Sequence, residues 1–112
     1  MEIGALIEIL ESVRDLLTPP GNWIKDEFAR DHAGNALGHG DSGDAVCWCL
    51  RGAIQKIAPE NAALEVEGFL KKSLCEPHIE HFNDAPATTH PMVLAALDKA
   101  VSEARAALSE AR

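Results

Sequence analysis

The segment CEPHIEHFNDAPATTHP, residues 75–91, concentrates one thiol, three imidazoles and three carboxylates in seventeen positions. Its Cys75, His78 and His81 follow one another at intervals of three, so a helical turn would place both histidines on one side. Thiolate and imidazole are donors that zinc prefers, and these residues could supply three of its four ligands. The spacing, however, matches none of the usual paired-ligand motifs. We therefore predict no cofactor and no metal, with zinc at Cys75, His78 and His81 as the alternative.

The other two cysteines stand in the CWC run of residues 47–49. On the helix that we predict here, residues two positions apart point about 200° away from each other. Cys47 and Cys49 could then neither share a metal ion nor form a disulfide, and the run is not a CxxC redox motif. Free cysteine is among the residue types most often buried. We interpret both as structural thiols of the core.

The glycine-rich run GHGDSGD, residues 38–44, has the composition of a hydrolase or phosphate-binding loop but not its order. It lacks the G-x-S-x-G arrangement, and no P-loop lysine follows it. Asp41 and Asp44 would repel a bound phosphate, whereas Ser42 is explained as a helix N-cap. The sequence thus predicts no catalytic residue. It leaves enzymatic activity undecided and favours a non-enzymatic role.

The two tryptophans raise a different question, because a buried indole N–H needs a hydrogen-bond acceptor. Asp31, Asn83 and Asp84 are the acceptors that we consider for Trp23 and Trp48. These five residues are predicted to form a polar cluster between the helices. The cluster either ties the fold together or lines a site for a small molecule or a metal ion.

The elements that position these side chains are predicted to be helices. Apolar residues at intervals of three and four predict an amphipathic helix over residues 2–17. The segment NWIKDEFARDHAGN predicts a short helix with Asn22 as its N-cap and Gly34 at its end. A flexible loop is expected after it, because glycines recur there without an apolar period.

The second half of the chain predicts three more helices. The apolar run of residues 45–57 indicates a central helix, capped by Ser42 and closely crossed by a neighbour at Gly52. Another helix starts at Pro59, and the last one is capped by Thr89. Between these two, the residues from Pro77 onward predict a turn or a short helix. No run of useful length alternates as a strand would.

These patterns together predict an all-α fold, a bundle of about four longer helices plus one or two short ones. The 112 residues fit a single helical domain over 1–112. The formal charge of −8 opposes binding to nucleic acid, which needs clustered Lys and Arg. No stretch is long and apolar enough for a membrane span, and the N-terminus lacks the basic start of a signal peptide. We expect a cytoplasmic protein.

Four segments resemble, in their order, a family of short proteins of unknown function from bacterial and phage genomes. They carry its W…FA…D…G, A…WCxxGA, FNDxP and VLxxLDxA patterns over about residues 22–101. Ala87 stands where the family's pattern has a glycine. The matching positions are Trp23, Phe28, Ala29, Asp31, Gly34, Ala45, Trp48, Cys49, Gly52, Ala53, Phe82, Asn83, Asp84, Pro86, Val93, Leu94, Leu97, Asp98 and Ala100.

The resemblance implies no activity, and its genomic setting implies an accessory or inhibitor protein of a phage or mobile element. From size, charge and the missing catalytic motifs, we expect a small acidic interaction module that binds a protein partner or itself. The alternative function is binding of a small molecule or a metal ion around Trp23, Asp31, Trp48, Asn83 and Asp84.

Overall fold

A computed structural model describes residues 1–111 and shows a mostly helical chain with a small sheet. Five α-helices surround one core, and three two-residue strands form an antiparallel sheet of order β2-β1-β3. Among residues 1–111, no helix combines the length and the apolar character that crossing a bilayer requires. The elements in chain order are α1 (Ile3–Leu17), a 3-10 turn (Pro20–Asn22), β1 (Ala29–Arg30), β2 (Ala36–Leu37), β3 (Cys47–Trp48), α2 (Leu50–Ile57), α3 (Ala63–Leu74), α4 (Ile79–Asp84) and α5 (His90–Glu110).

The first and last helices form the main packing unit and confirm the sequence prediction for both. α1 packs along α5, and its buried side is the predicted apolar stripe: Leu6, Ile7, Leu10, Val13 and Leu17. Each fully buried leucine of this kind stabilises the fold by about 1.5–3 kcal/mol. Thr89 caps α5 as expected, since its Oγ1 accepts a hydrogen bond from the Met92 N–H at 3.4 Å. α2, α3 and α4 pack on one another beside this pair.

The all-α prediction is wrong in the segment after α1. Asn22 caps no helix here; it ends the 3-10 turn, and residues 23–28, which we call the connecting segment, run to β1 without forming a helix and bend at residues 25–28. The backbone of this segment is hydrogen-bonded to residues around β3: the Cys49 N–H donates to the Phe28 carbonyl at 3.2 Å, and the Val46 N–H donates to the Arg30 carbonyl at 2.9 Å. Long-range pairing therefore outweighs a helical pattern that covers only two turns.

The central helix is also shorter than predicted, because α2 begins at Leu50 and not near Ser42. Its N-cap is Cys49, whose sulfur accepts a hydrogen bond from the Gly52 N–H at 3.3 Å. Cys47 and Trp48 lie in β3, so the CWC run crosses a strand-to-helix junction. All three cysteines are free: Cys49 is buried, Cys47 partly buried and Cys75 exposed.

Two glycines allow the sheet, the following loop and α2 to meet. A Cβ atom at Gly52 would lie 1.8 Å from the Phe28 carbonyl oxygen, and one at Gly40 would lie 1.9 Å from the Gly52 carbonyl oxygen. Only a residue without a side chain fits at either position. The close approach predicted at Gly52 is thus present, but its neighbour is the non-helical backbone of Phe28 and not a crossing helix.

The connection between α3 and α4 departs in detail from the prediction. α3 begins at Ala63, after a turn that starts at Pro59. It ends at Cys75, which adopts a left-handed conformation with φ of 53°. The short helix expected after Pro77 is present as α4. Its residues Asn83 and Asp84 face the segment between the 3-10 turn and β1.

Candidate functional site

Asn83 is the best-connected polar side chain in this part of the fold. It is fully buried on α4, and its Oδ1 accepts hydrogen bonds from the Trp23 indole N–H at 2.7 Å and the Leu50 N–H at 3.1 Å. Its Nδ2 donates to the Ile24 carbonyl at 3.0 Å and to Asp84 Oδ1 at 2.8 Å. One amide thus joins α4, the start of α2 and residues 23–24 of the connecting segment. Every hydrogen-bonding group of the Asn83 side chain has a partner.

Asp84 continues this network toward the surface. Its Oδ1 also accepts a hydrogen bond from the Asp26 N–H at 2.8 Å, and Asp26 has a left-handed backbone with φ of 73°. Lys25 donates from Nζ to the Ala85 carbonyl at 2.8 Å. The end of α4 therefore holds residues 23–26 in place by side-chain contacts on both sides.

An open depression of about 260 Å³ lies where this segment, α2 and α4 meet. We call it the acidic depression, because four carboxylates line it: Asp26, Glu27, Glu80 and Asp84. The half-buried ring of Phe28 supplies an apolar wall. The remaining lining residues are Cys49 and Arg51.

The single cation that lines the acidic depression, Arg51, is paired with a carboxylate outside it and lies over the Phe28 ring. Arg51 Nε donates to Glu67 Oε1 at 2.5 Å, and its guanidinium carbon lies 5.4 Å from the centre of the Phe28 ring. Glu67 is only 4% exposed, so Arg51 is needed there to neutralise a buried carboxylate. The four lining carboxylates consequently keep a net negative field in the depression.

Cys49 contributes a buried thiol, an environment that disfavours the nucleophilic thiolate. Burial raises the pKa of the Cys49 thiol, opposed by weaker hydrogen bonds from Gly52 and its neighbours. Among the described residues that line the depression, none is a histidine that could act as a base. The arrangement offers charge and an apolar contact, but no activated group for covalent chemistry.

The structure brings together some members of the polar cluster predicted from the sequence. Trp23, Asn83 and Asp84 are joined by the contacts above. Trp48 forms a backbone bridge with Trp23, and its indole N–H donates to the Gly40 carbonyl at 2.9 Å. The hydrogen bonds of the two indole N–H groups therefore connect different elements of the fold.

Asp31 stands apart from this cluster, in the turn between β1 and β2. Its Oδ1 accepts hydrogen bonds from the N–H groups of Asn35 at 2.8 Å and Ala33 at 3.0 Å. The Asn35 N–H is the main cause of a lowered pKa for the Asp31 carboxyl; burial opposes it, and further hydrogen bonds from Asn35, Ala33 and Gly34 add to it. Asp31 therefore stabilises its own turn and does not reach either tryptophan by a hydrogen bond.

The three residues considered for zinc are placed around the start of α4. The rings of His78 and His81 lie 4.7 Å apart between centres, whereas the Cys75 thiol is directed to the Lys72 carbonyl at 3.8 Å. Within residues 1–111, no three Cys, His, Asp or Glu side chains are grouped so that they could hold a metal ion.

Three carboxylates of the acidic depression were not singled out from the sequence, Asp26, Glu27 and Glu80, and Phe28 was named only as part of the family pattern. Glu80 and Asp84 are four residues apart and so share one side of α4, which is a signal that the sequence does contain. Asp26 and Glu27 join them only because their segment bends there and is not helical. That change of conformation was the missing information.

Comparison with known proteins gives a family and no activity. No curated protein and no solved structure matches the chain. A family model described as a family of unknown function, DUF6197, matches residues 1–103. This match covers all the elements from α1 through most of α5, and the chain belongs to the DUF6197 family.

Proposed function

We propose that this protein is a small acidic interaction module that binds a basic segment of a protein partner. The observation that supports the proposal is the acidic depression, with its four carboxylates and one aromatic wall. An arginine or lysine side chain has the matching chemistry: its charged end pairs with carboxylates, and its apolar stem packs on Phe28.

Asp26, Glu27 and Glu80 are available for such a partner, whereas Asp84 Oδ1 already accepts hydrogen bonds from Asn83 and Asp26, which leaves its Oδ2. Glu80 contacts His78 at 3.7 Å, and the six ion pairs found within residues 1–111 include none formed by Asp26, Glu27 or Asp84. Complementary charge mainly increases the rate and the specificity of association. The formal charge of −8 adds a long-range attraction for a basic surface and a repulsion for nucleic acid. A role as accessory or inhibitor protein of a phage or mobile element is compatible with this mode, since such a module can cover a basic surface.

The first experiment measures binding of fluorescent hexa-arginine and hexa-lysine peptides by polarisation at low and high salt. Binding should weaken as salt is added, because exposed charges are screened. The double substitution Glu27→Gln with Glu80→Gln should weaken it about tenfold, at roughly 0.2–1 kcal/mol for each exposed pair. A single-stranded DNA oligonucleotide of equal length should not bind.

A matched control separates the acidic depression from net charge. Glu8→Gln with Glu110→Gln removes the same charge from exposed positions of α1 and α5. This control should bind the peptides nearly as the wild type does. Equal losses in the two double variants would mean that overall charge, and no particular site, attracts the peptides. Salt-independent capture of a partner from a lysate would also contradict the proposal.

The alternative function, a small-molecule or metal site around the predicted polar cluster, has less support. The indole N–H groups and the Asn83 amide are already paired within the fold. Asp31 lies in its own turn. A thermal-shift screen with zinc and other divalent cations tests this alternative directly, since a ligand of the folded state raises the melting temperature.

A further inference from the structure

The exposed side of α3 carries a pattern that the acidic depression does not explain. Leu64 is 76% exposed, the most exposed large hydrophobic residue among residues 1–111. On the same side lie Glu65, Gly68, Lys71 and Lys72. A Cβ atom at Gly68 would meet nothing within 4 Å, so the centre of this side is open. We call these five residues the α3 face.

An apolar groove borders the α3 face. It measures about 340 Å³ and lies between the start of α1 and α3. Ile3, Leu6 and Phe69 line it, together with Met1, whose side chain is largely covered. Glu65, Gly68 and Lys72 of the α3 face also line the groove, which therefore borders the edge opposite to Leu64 and adds apolar surface for a protein contact there.

The charges of the α3 face are complementary to themselves. An α-helix advances about 1.5 Å and 100° per residue, so Glu65 lies about 4.5 Å on one side of Gly68 and Lys72 about 6 Å on the other. The same geometry displaces both side chains toward the same edge of the face. A twofold axis perpendicular to the helix at Gly68 therefore sets Glu65 of one copy opposite Lys72 of the other, and the reverse.

The apolar residue of the face fits the same arrangement. Leu64 lies toward the opposite edge, where the twofold axis places it against Lys71 of the other copy. The aliphatic stem of a lysine can cover a leucine while its ammonium group stays in water. Glycine at the crossing point lets two helices approach closely.

We propose that a second copy of this chain occupies the α3 face, forming an antiparallel, twofold-symmetric dimer about Gly68. The reciprocal Glu65 and Lys72 pairs distinguish this occupant from an unrelated protein, because they are self-complementary. Glu65 Oε2 already accepts a hydrogen bond from the Met1 amino group at 2.8 Å, which leaves Oε1 for the second copy. The lysines matter because a chain of charge −8 otherwise repels its copies.

Sedimentation velocity over a series of protein concentrations tests the dimer. The wild type should change from monomer to dimer as its concentration rises. Glu65→Lys alone and Lys72→Glu alone should each weaken the dimer about tenfold to thirtyfold, because two attractive contacts become repulsive. An equal mixture of the two variants should form a heterodimer, since each lysine then faces a glutamate again.

Lys56→Glu serves as the control, because it makes the same charge change as Lys72→Glu on an exposed residue of α2. It should dimerise as the wild type does. The proposal is overturned by a wild type that stays monomeric throughout, by a reversal variant that dimerises normally, or by a mixture that stays monomeric. Because the acidic depression is a separate surface, Glu27→Gln with Glu80→Gln should leave the dimer unchanged, which keeps the two proposals distinguishable.

Discussion

Asn83 should contribute more to stability than any other uncharged polar side chain in the protein. Replacing it with alanine removes the acceptor of the Leu50 N–H, the acceptor of the Trp23 indole and the donor to the Ile24 carbonyl. A buried polar group left without a partner costs about 1–3 kcal/mol. The Leu50 N–H carries this cost in full, whereas the half-buried Trp23 and Ile24 lose less because water can reach them.

With the small cavity that the missing amide leaves, Asn83→Ala should lower the free energy of unfolding by about 3–5 kcal/mol. That is a large fraction of the roughly 5–15 kcal/mol that stabilises a typical domain. Urea unfolding followed by tryptophan fluorescence and by circular dichroism measures it, and Asn61→Ala, at an exposed position, is the control. A loss below about 1 kcal/mol in Asn83→Ala would refute the reasoning.

A second substitution at the same position checks the cause. Asn83→Asp keeps Oδ1 as an acceptor but places a buried carboxyl beside Asp84, which raises the pKa of the new group above its unfolded value. Such a group favours the unfolded state at neutral pH, and this penalty disappears as the pH falls through the raised pKa. The stability of Asn83→Asp should therefore approach that of the wild type in acid. A penalty independent of pH would contradict this account.

The remaining predictions concern separate features of the fold. Gly52→Ala should cost about 3 kcal/mol or more in urea unfolding, because its Cβ would overlap a carbonyl oxygen, whereas Gly4→Ala, with open space around it, should gain about 0.5–1 kcal/mol. The Asp31 carboxyl has a lowered pKa in the folded state, so it stabilises the fold at pH values above its unfolded pKa of 3.8. The difference in stability between the wild type and Asp31→Ala should accordingly shrink as the pH falls below that value; a constant difference in a pH series would count against it. Iodoacetamide should label exposed Cys75 first and buried Cys49 last, as peptide mass spectrometry can measure; equal rates would contradict the burial of Cys49.

The helical part of the fold was predictable because long amphipathic patterns are decided locally. α1 and α5 each repeat an apolar side over several turns, so the sequence predicts both helices and the Thr89 cap. The strands were not predictable, since two residues are too few to show alternation. The run through Cys47 and Trp48 is apolar in either conformation, and only the pairing with β1 decides between strand and helix.

The candidate site shows the same division. An acceptor for a tryptophan N–H was expected among Asp31, Asn83 and Asp84, because a buried indole needs one. Which of the three accepts the hydrogen bond depends on the three-dimensional positions of α4 and the connecting segment. In the structure, Asn83 accepts it from Trp23. The acidic depression depends still more on tertiary structure, because residues from the connecting segment and from α4 meet there.

The packing of α1 against α5 has a consequence for how the chain folds during synthesis. Of the five helices in residues 1–111, α1 leaves the ribosome before the others and α5 after them, and these two share the largest helix–helix contact. Until α5 has been made, the buried side of α1, which includes Leu10, Val13 and Leu17, remains largely uncovered. Contacts between such distant segments slow folding, and exposed apolar surface in the meantime favours aggregation. We expect fragments that end after α4 to need a chaperone, although four of the five helices are present in them.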